Sequence, residues 1–301
     1  MVTGATGFIG RHVVHSLHRQ GYEVHGVARE LPSCASAGVH WHAGDLLVPG
    51  GAARLIAAAA PDALIHLAWE VEPDGAWQSD RHDLWRRATV DLVDAFAAPH
   101  RRAVLAGTCA EYRWDESVCV ERSTPISPAT RYGQAKDEAR TQAQLIARRD
   151  GLSLVWARIF FTFGPGESRQ RLVASIVRTV LAGGVAEATH GRQVRDYLYV
   201  EDLADALVSL LASDAQGEIN VASGAPIRLG WLAALAAQTA GDAGRLRLGA
   251  RSPRPAEPQR ILADVGRLRD EVGWQAATGI EEGMARTVAW WRSQTGVPGP
   301  G

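Results

Sequence analysis

A glycine series near the amino terminus most limits what this chain can fold into. Gly4, Gly7 and Gly10 are spaced three apart, directly before an apolar pattern that predicts a helix over 7–20. Glycines in a strand-to-helix turn let the backbone approach a pyrophosphate, which the helix N-terminus then holds. The same spacing also occurs in ordinary tight turns. Because only Met1 and Val2 precede Thr3, the first strand is either short or begins upstream of this sequence.

Apolar, β-branched runs alternate with helical patterns through the first half of the chain. The predicted strands cover 22–28, 40–43, 63–68, 103–106 and 154–160, and the predicted helices cover 7–20, 50–60, 80–98 and 131–149. This alternation is typical of a parallel sheet with helices on both faces. We therefore predict an α/β fold with a doubly wound parallel sheet over 1–163. The chain is expected to return to that sheet at about 194–222, and 164–301 mainly form a smaller substrate domain.

The segment Tyr132-Gly-Gln-Ala-Lys136 places a phenol and an ammonium on one face of the helix predicted over 131–149. A free phenol has a pKa of about 10, and a neighbouring cation stabilises the phenolate. Such a tyrosine can exchange a proton with a substrate oxygen near neutral pH. The spacing also arises by chance on surface helices, so the rest of the sequence must decide between the two interpretations.

Together, the glycine series and the Tyr132/Lys136 pair resemble the extended branch of the short-chain dehydrogenase/reductase superfamily. This branch contains the NAD(P)-dependent nucleotide-sugar epimerases and dehydratases. The resemblance implies a Rossmann domain followed by a C-terminal substrate-binding domain. It also implies cofactor contacts from the turn and the helix start, at Gly4, Thr6, Gly7, Phe8, Ile9 and Gly10.

The composition is that of an ordinary globular enzyme. There are 32 basic and 33 acidic residues, giving a net charge of −1, which offers no electrostatic case for binding nucleic acid or a membrane surface. Cys34, Cys109 and Cys119 lack metal-ligand spacing and a pairing framework, so we predict no metal site and a reducing, cytoplasmic location.

The end of the second predicted strand bears on the choice of cofactor. It reads Val27-Ala28-Arg29-Glu30, with Ala28 where NAD users of the family place an acid. A cation there tolerates a ribose 2′-phosphate, so Arg29 favours NADP(H). NAD remains possible, because Glu30 is close enough in sequence to reach the ribose. The resemblance further implies that Asp45 and Leu46 border the adenine, and that Leu67, Ala68 and Trp69 pass beside the pyrophosphate and nicotinamide ribose. We interpret His66 as structural.

The resemblance also implies a catalytic set. The fifth predicted strand leads into Gly107-Thr108-Cys109-Ala110-Glu111-Tyr112, similar to the family's Ser-Ser-x-x-x-Tyr-Gly segment. Thr108 then donates a hydrogen bond to the substrate carbonyl, and Tyr132 delivers the proton. Lys136 binds the nicotinamide ribose and lowers the tyrosine pKa.

The residues after Thr108 argue against elimination. Related 4,6-dehydratases carry Asp-Glu at the next two positions, and decarboxylases need a Glu at the second; here Cys109 and Ala110 stand there. Reduction of a ketone, or epimerisation through a transient ketone, remains. Cys109 is more readily interpreted as a buried, inert thiol than as an acid.

On the substrate side, Arg195 opens a segment similar to the family's Arg-Asp-Tyr-x-x-Val-x-Asp motif, and Arg254 matches a second family arginine. Both are expected to bind a nucleotide diphosphate, whose oxygens suit the planar guanidinium fork. Two positions depart from the family: Phe161 and Trp85 stand where many relatives have Asn. Trp69, Trp77, Trp85 and Trp114 are expected near the nicotinamide end, where they either form an apolar pocket or pack in the core.

The leading hypothesis is an NADPH-dependent reductase of a nucleotide-linked 4-keto-6-deoxysugar, acting at C4. The alternative is a nucleotide-sugar 4-epimerase with tightly bound NAD. A non-catalytic nucleotide-binding regulator is a third interpretation, disfavoured because Thr108, Tyr132 and Lys136 are all present. The resemblance implies a homodimer formed through the helices near 80–98 and 131–149.

Overall fold

Seven parallel strands form the main sheet of the protein. The computed structural model describes residues 1–32, 38–70, 76–114, 118–253 and 257–295. The strands of this sheet are β1 (Val2–Thr3), β2 (Val24–Ala28), β3 (Val39–Ala43), β4 (Ala63–His66), β5 (Arg102–Thr108), β7 (Ser153–Ile159) and β11 (Gly217–Val221). Their order in space is β11-β7-β5-β4-β1-β2-β3. The strand order reverses between β1 and β4, where open α/β sheets bind ligands beyond the carboxyl ends of their strands.

Helices cover both faces of this sheet. Three of them, α1 (Phe8–Arg19), α6 (Val200–Ala212) and α8 (Gly266–Asp270), contribute to one apolar core. The other face carries α2 (Gly51–Ala59), α3 (Arg81–Phe96) and α4 (Arg131–Asp150). The predicted α/β fold and its parallel sheet are therefore confirmed. Among the described residues, no helix is both long and apolar enough to cross a membrane.

A second, mixed sheet lies beyond the carboxyl edge of the first. Its strands are β6 (Val118–Cys119), β8 (Phe161–Phe163), β10 (Val194–Tyr199), β12 (Pro226–Arg228) and β14 (Arg260–Ala263). A separate core is built with α5 (Leu172–Leu181), α7 (Leu229–Ala240) and α9 (Ile280–Thr295). The short strands β9 (Ala186–Ala188) and β13 (Leu246–Leu248) pair beside it.

The segment expected to return to the main sheet at 194–222 divides between the two sheets. β10 pairs with β8, β12 and β14 in the second sheet. After it, α6 packs against α1 and β11 pairs with β7, completing the main sheet. β10, which contains Arg195, thus belongs to the second sheet, and the chain re-enters the first sheet only after it.

Candidate active site

The glycine turn brings the start of α1 against the backbone of the neighbouring strand connections. Gly4 has a φ of +67°, and a Cβ there would lie 2.8 Å from the Ala68 nitrogen. A Cβ on Gly10 would lie 2.0 Å from the Gly4 carbonyl oxygen. Both approaches are possible only without a side chain. The amides at the start of α1 are left facing a cleft, which suits a pyrophosphate.

Two adjoining cavities run from this turn. The first has a volume of about 230 Å³ and the second about 320 Å³, and Gly4, Gly7, Leu67 and Trp69 line both. The first cavity also contains the predicted cofactor residues Thr6, Arg29, Asp45, Leu46 and Ala68. The second contains Phe8, Ile9, Gly10, Thr108, Tyr132 and Lys136. Every predicted cofactor residue therefore lines one cavity or the other.

The first cavity, where the resemblance predicts the adenosine, carries both signs of charge. Arg29 lines it and is exposed, whereas Glu30 is not among the lining residues. Sequence reasoning missed Glu70, which lines the same cavity and whose carboxylate accepts hydrogen bonds from Arg81 at 2.7 and 3.0 Å. Those bonds hold the pKa of Glu70 below its usual value. A ribose hydroxyl or phosphate bound in this cavity would thus lie near the exposed guanidinium of Arg29 and near the Glu70 carboxylate, which is already paired with Arg81.

Tyr132 and Lys136 lie in the first two turns of α4, against the end of β5. Thr130 caps the helix by accepting a hydrogen bond from the Gly133 amide at 3.1 Å. A Cβ at Gly133 would come within 2.3 Å of the Ala110 carbonyl oxygen, so the glycine permits the close contact between α4 and the turn after β5. The Lys136 ammonium donates to the Ala106 carbonyl oxygen at 2.7 Å. The structure thus brings Thr108, Tyr132 and Lys136 together at one wall of the second cavity.

Burial determines the protonation of this set. It raises the pKa of Tyr132, and the hydrogen bond with Thr108 only partly opposes it. It lowers the pKa of Lys136 to about 7, against the nearby charge of Glu111. The sequence predicts a tyrosine pKa lowered by the lysine. In the structure the loss of water around the phenol instead raises this pKa, so the Tyr132 hydroxyl is protonated near neutral pH.

Lys136 is the only lysine among the 32 basic residues of the chain, a signal that sequence reasoning missed. Its ammonium also lies 3.9 Å from the centre of the Trp69 ring. The Trp69 indole in turn donates to His82 Nδ1 at 3.1 Å. An arginine has a pKa too high to lose its charge in a protein, whereas a buried lysine can. The only lysine of the chain is therefore a buried cation whose charge can change near neutral pH.

A buried polar network supports the turn that carries Thr108. Glu111 is fully buried and accepts from the Thr108 amide at 2.8 Å, from Trp156 at 2.9 Å and from Arg158 at 2.7 Å. Arg158 also donates to the Tyr112 hydroxyl at 3.1 Å. The sequence signal was the Thr-x-x-Glu spacing from 108 to 111, a capping box. Cys109 in the same turn is buried, which raises the pKa of its thiol and keeps it protonated.

His66 is buried and structural in its contacts. Its two ring nitrogens hydrogen-bond to Thr3 at 2.6 Å and Thr89 at 2.9 Å. Burial lowers the pKa of the imidazole to about 3, with the Lys136 charge adding to the effect, so the ring is neutral. It joins β1, β4 and α3 beneath the cavities.

Aromatic side chains surround the phenol. The Trp77 ring meets the Tyr132 ring edge to face with centres 5.5 Å apart, and Trp114 meets Trp77 at 6.3 Å. Trp69, Trp77, Trp114 and Phe161 all line the second cavity. Trp85 is buried, stacks on Trp69 at 6.5 Å and lines the first cavity instead. Three of the four tryptophans therefore line the second cavity, together with the predicted catalytic residues Thr108, Tyr132 and Lys136.

The predicted substrate arginines have different outcomes. Arg195 is only 3% exposed, and its guanidinium donates to the carbonyls of Val194 at 2.9 Å and Pro258 at 2.8 Å, and to Glu257 at 3.2 Å. It lies behind Phe161, 5.5 Å from the ring centre, and is not among the residues lining the second cavity. Arg254 lies outside the described residues. Arg171, which sequence reasoning missed, does line this cavity.

No metal centre was predicted from the sequence. Among the described parts of the chain, no group of three or more His, Cys, Asp or Glu residues could hold a metal ion.

Comparison with known proteins identifies the family. Residues 1–222 match the NAD dependent epimerase/dehydratase family. Xenopus tropicalis UDP-glucuronic acid decarboxylase 1 is 26% identical over 308 residues, which cover 98% of this chain and 72% of that protein. Azospirillum brasilense UDP-glucose 4-epimerase is 25% identical over 335 residues, covering 99% and 95%. The structure of MoeE5 in complex with UDP-glucose and NAD superposes with a TM-score of 0.85 at 26% identity, covering 98% of each chain. The protein is therefore a member of the NAD dependent epimerase/dehydratase family, whose similar members are nucleotide-sugar epimerases, dehydratases and decarboxylases.

Proposed function

We propose that this protein reduces a nucleotide-linked 4-keto-6-deoxysugar at C4 with NADPH. The observation that carries the proposal is the meeting of Thr108, Tyr132 and Lys136 at the wall of a cavity that adjoins the glycine turn. NADPH fits the described residues, because the glycine turn suits its pyrophosphate and Arg29 suits its 2′-phosphate. When bound, it supplies a hydride to C4.

The chain's own residues supply the rest of the reaction. The Thr108 hydroxyl donates a hydrogen bond to the C4 oxygen and polarises the carbonyl. The buried Tyr132 phenol is neutral and delivers the proton that converts the developing alkoxide to a hydroxyl. Lys136 can restore that proton, because its pKa near 7 lets the ammonium give one up near neutral pH.

Two features favour a deoxysugar and a reduction. The wall formed by Trp77, Trp114 and Phe161 offers apolar surface to a substrate carbon without a hydroxyl. The positions after Thr108 hold Cys109 and Ala110, which provide no acid and base for elimination. The reactions of the similar dehydratases and decarboxylases are therefore not proposed for this chain, although the fold is alike.

A nucleotide-sugar 4-epimerase with bound NAD is the second candidate. It is favoured by the likeness to the Thermus thermophilus UDP-glucose 4-epimerase complex with NAD, which has a TM-score of 0.84 at 25% identity, covering 97% of this chain and 98% of that one. An epimerase regenerates its cofactor, whereas a reductase consumes it. Arg29, which follows β2 at a position that suits a 2′-phosphate, favours the reductase.

One experiment separates the two candidates. The purified protein is incubated with NADPH and dTDP- or UDP-linked 4-keto-6-deoxyhexoses, and in parallel with NAD and unoxidised dTDP- or UDP-linked hexoses. Absorbance at the NADPH band is followed while products are separated by chromatography. Stoichiometric oxidation of NADPH supports the reductase. Interconversion of 4-epimers of an unoxidised nucleotide sugar, without net change in cofactor, would replace it with the epimerase.

We also propose a homodimer built on α3 and α4. These helices pack side by side and expose Leu84 and Leu145, whose exposed fractions are 47% and 56%. Light scattering should give twice the chain mass of 32.3 kDa. Leu145→Asp should halve that mass, and an unchanged dimer would place the interface elsewhere.

A further inference from the structure

The Lys136 ammonium has few polar partners for a group that must carry a charge. Its side chain is 3% exposed, and in the described structure the ammonium donates one hydrogen bond, to the Ala106 carbonyl oxygen at 2.7 Å. An ammonium has three N–H groups, so one hydrogen bond leaves two of them without an acceptor. Burial accordingly lowers the pKa of this lysine to about 7.

The titratable groups around the ammonium compensate for little of this loss. Glu111 opposes the effect of burial, but its carboxylate is paired with the buried Arg158 guanidinium at 2.7 Å, so much of its charge is offset. Tyr132 and His66 carry no charge near neutral pH, because burial raises the pKa of the phenol and lowers that of the imidazole. The charged lysine therefore gains most from an uncharged group with a negative surface.

Trp69 provides such a surface. The ammonium lies 3.9 Å from the centre of its ring. The face of an indole carries a negative potential, and a cation over it is stabilised most where water is excluded. The Trp69 ring also stacks on Trp85 at 6.5 Å and meets the Tyr132 ring edge to face at 6.2 Å. One ring thus contacts both the ammonium and the phenol, and its residue lines both cavities.

His82 fixes the orientation of this ring. The Trp69 indole donates to His82 Nδ1 at 3.1 Å, and the two rings lie within 25° of parallel with centres 6.2 Å apart. His82 belongs to α3, is 2% exposed and packs against the Tyr132 ring at 5.2 Å. An indole has a single N–H to donate, so this hydrogen bond holds the ring in the rotation that turns its face to the ammonium.

We propose that Trp69 and His82 are positioning residues: His82 orients the indole, and the indole face holds the Lys136 ammonium in its charged form beside Tyr132. The ammonium then returns a proton to the phenolate after each reduction, becomes a neutral amine and is protonated again by solvent. A lysine that is already neutral has no proton to return. The inference rests on the proposed function for the task that it gives to Lys136.

Fluorinated tryptophans at position 69 test the contact, because fluorine withdraws electrons from the ring face and changes its volume little. Analogues with one, two and three ring fluorines are inserted at this position alone by nonsense suppression. The full chain also carries lysine labelled with ¹³C at Cε, which marks one residue. The resonance of this carbon in the ligand-free protein reports the Lys136 pKa, which should fall stepwise, by roughly 0.5 to 1.5 over the series.

The matched control is the same series at Trp77. This residue lines the second cavity and contacts the Tyr132 ring at 5.5 Å, but in the described structure the ring under the ammonium is that of Trp69. Fluorine at position 77 should therefore leave the Lys136 pKa unchanged. If Trp69 served only to fill space, its own series would leave that pKa unchanged as well.

His82→Asn and His82→Leu test the orientation of the ring. The asparagine oxygen is as many bonds from the backbone as histidine Nδ1 and can accept from the indole, whereas leucine cannot. The Lys136 pKa should fall by roughly one pH unit in His82→Leu and by less than half as much in His82→Asn. The alkaline limb of the pH profile of kcat for the keto sugar should move to lower pH in the same order, because activity is lost as the ammonium deprotonates.

An unchanged Lys136 pKa along the position 69 series, or an equal fall along the position 77 series, would overturn the role of Trp69. A parental pKa in His82→Leu would remove His82 from the assignment. The fluorinated series leaves the packing intact, so it decides the matter even if His82→Leu does not fold. If the pKa follows the series but no keto sugar is reduced, the proposed reaction fails while this inference stands. If the sugar is reduced and the pKa ignores the series, the inference fails and the reaction stands.

Discussion

The cofactor side and the substrate side of the cleft differ in how their residues are brought together. On the cofactor side, Arg29 and Asp45 follow the carboxyl ends of adjacent parallel strands, so one sheet places them at one edge. On the substrate side, Arg195 lies in a different sheet, and its contacts come from residues 62 to 64 positions away. Local sequence motifs therefore predict where the cofactor-side residues lie. On the substrate side, contacts between residues distant in sequence determine which groups a side chain can bind.

Tyr132 stands between the two sides, and its removal should have the largest effect. Tyr132→Phe keeps the ring that packs against Trp69, Trp77 and His82 but removes the proton donor. Turnover of the keto sugar should fall roughly 10²- to 10⁴-fold. Steady-state NADPH oxidation measures this, and the NADPH dissociation constant, measured by fluorescence, should stay within about twofold. A turnover rate close to that of the parent would show that another group protonates C4.

The same contrast explains what the sequence could and could not predict. The parallel sheet, the glycine turn and the proximity of Thr108 to Tyr132 follow from periodicity and from the rule that strand ends share an edge. The engagement of Arg195 by Glu257 depends on β10 and β14 pairing, which no local pattern encodes. The raised tyrosine pKa depends on aromatic neighbours distant in sequence, because burial is a property of the packed site. Arg171 was missed because its segment follows a loop with no periodic signal.

Lys136 and Glu167 sharpen the comparison, because burial shifts their pKa values in opposite directions. For Lys136 the folded pKa is about 7, below the ordinary value of 10.5. Between these pH values the unfolded chain binds more protons, so this residue makes stability rise with pH. Lys136→Met cannot titrate. The difference in unfolding free energy between the parent and this variant should therefore increase, in favour of the parent, by about 1.4 kcal/mol per pH unit from pH 7 to 10.

Urea unfolding of both proteins across that range, without cofactor, measures the slope. A direct measurement is also available, because reductive methylation with labelled formaldehyde marks, besides the amino terminus, a single lysine in this chain. Its resonance should titrate near pH 7 in the folded protein and near 10 in urea. A folded midpoint above about 9 would show that the ammonium is well solvated.

Glu167 should make stability change with pH in the opposite direction to Lys136. Its folded pKa is about 8, above the ordinary value of 4.5, so the folded chain binds more protons between these values. Stability from this group is complete below pH 4.5 and is lost as pH rises to 8. Relative to Glu167→Gln, the parent should lose about 1.4 kcal/mol of unfolding free energy per pH unit between about pH 5.5 and 7.5. Glu187→Gln, which removes an exposed carboxyl group, is the control. A slope for Glu167→Gln no larger than that of this control would place the Glu167 carboxyl in water.

Arg29 should give the smallest effect, because it is exposed and, under the proposed function, contacts one substituent of the cofactor. Arg29→Ala should raise the KM for NADPH about tenfold, the value of one charge-assisted hydrogen bond to phosphate, and leave the KM for NADH nearly unchanged. Arg192→Ala, which removes an exposed cation away from both cavities, is the control. A rise in both constants would mean that Arg29 acts on a part common to the two cofactors. If the parent protein prefers NADH, the Glu70 carboxylate is the group expected to accept hydrogen bonds from the ribose hydroxyls. Cofactor binding would then require Glu70 to break its hydrogen bonds with Arg81.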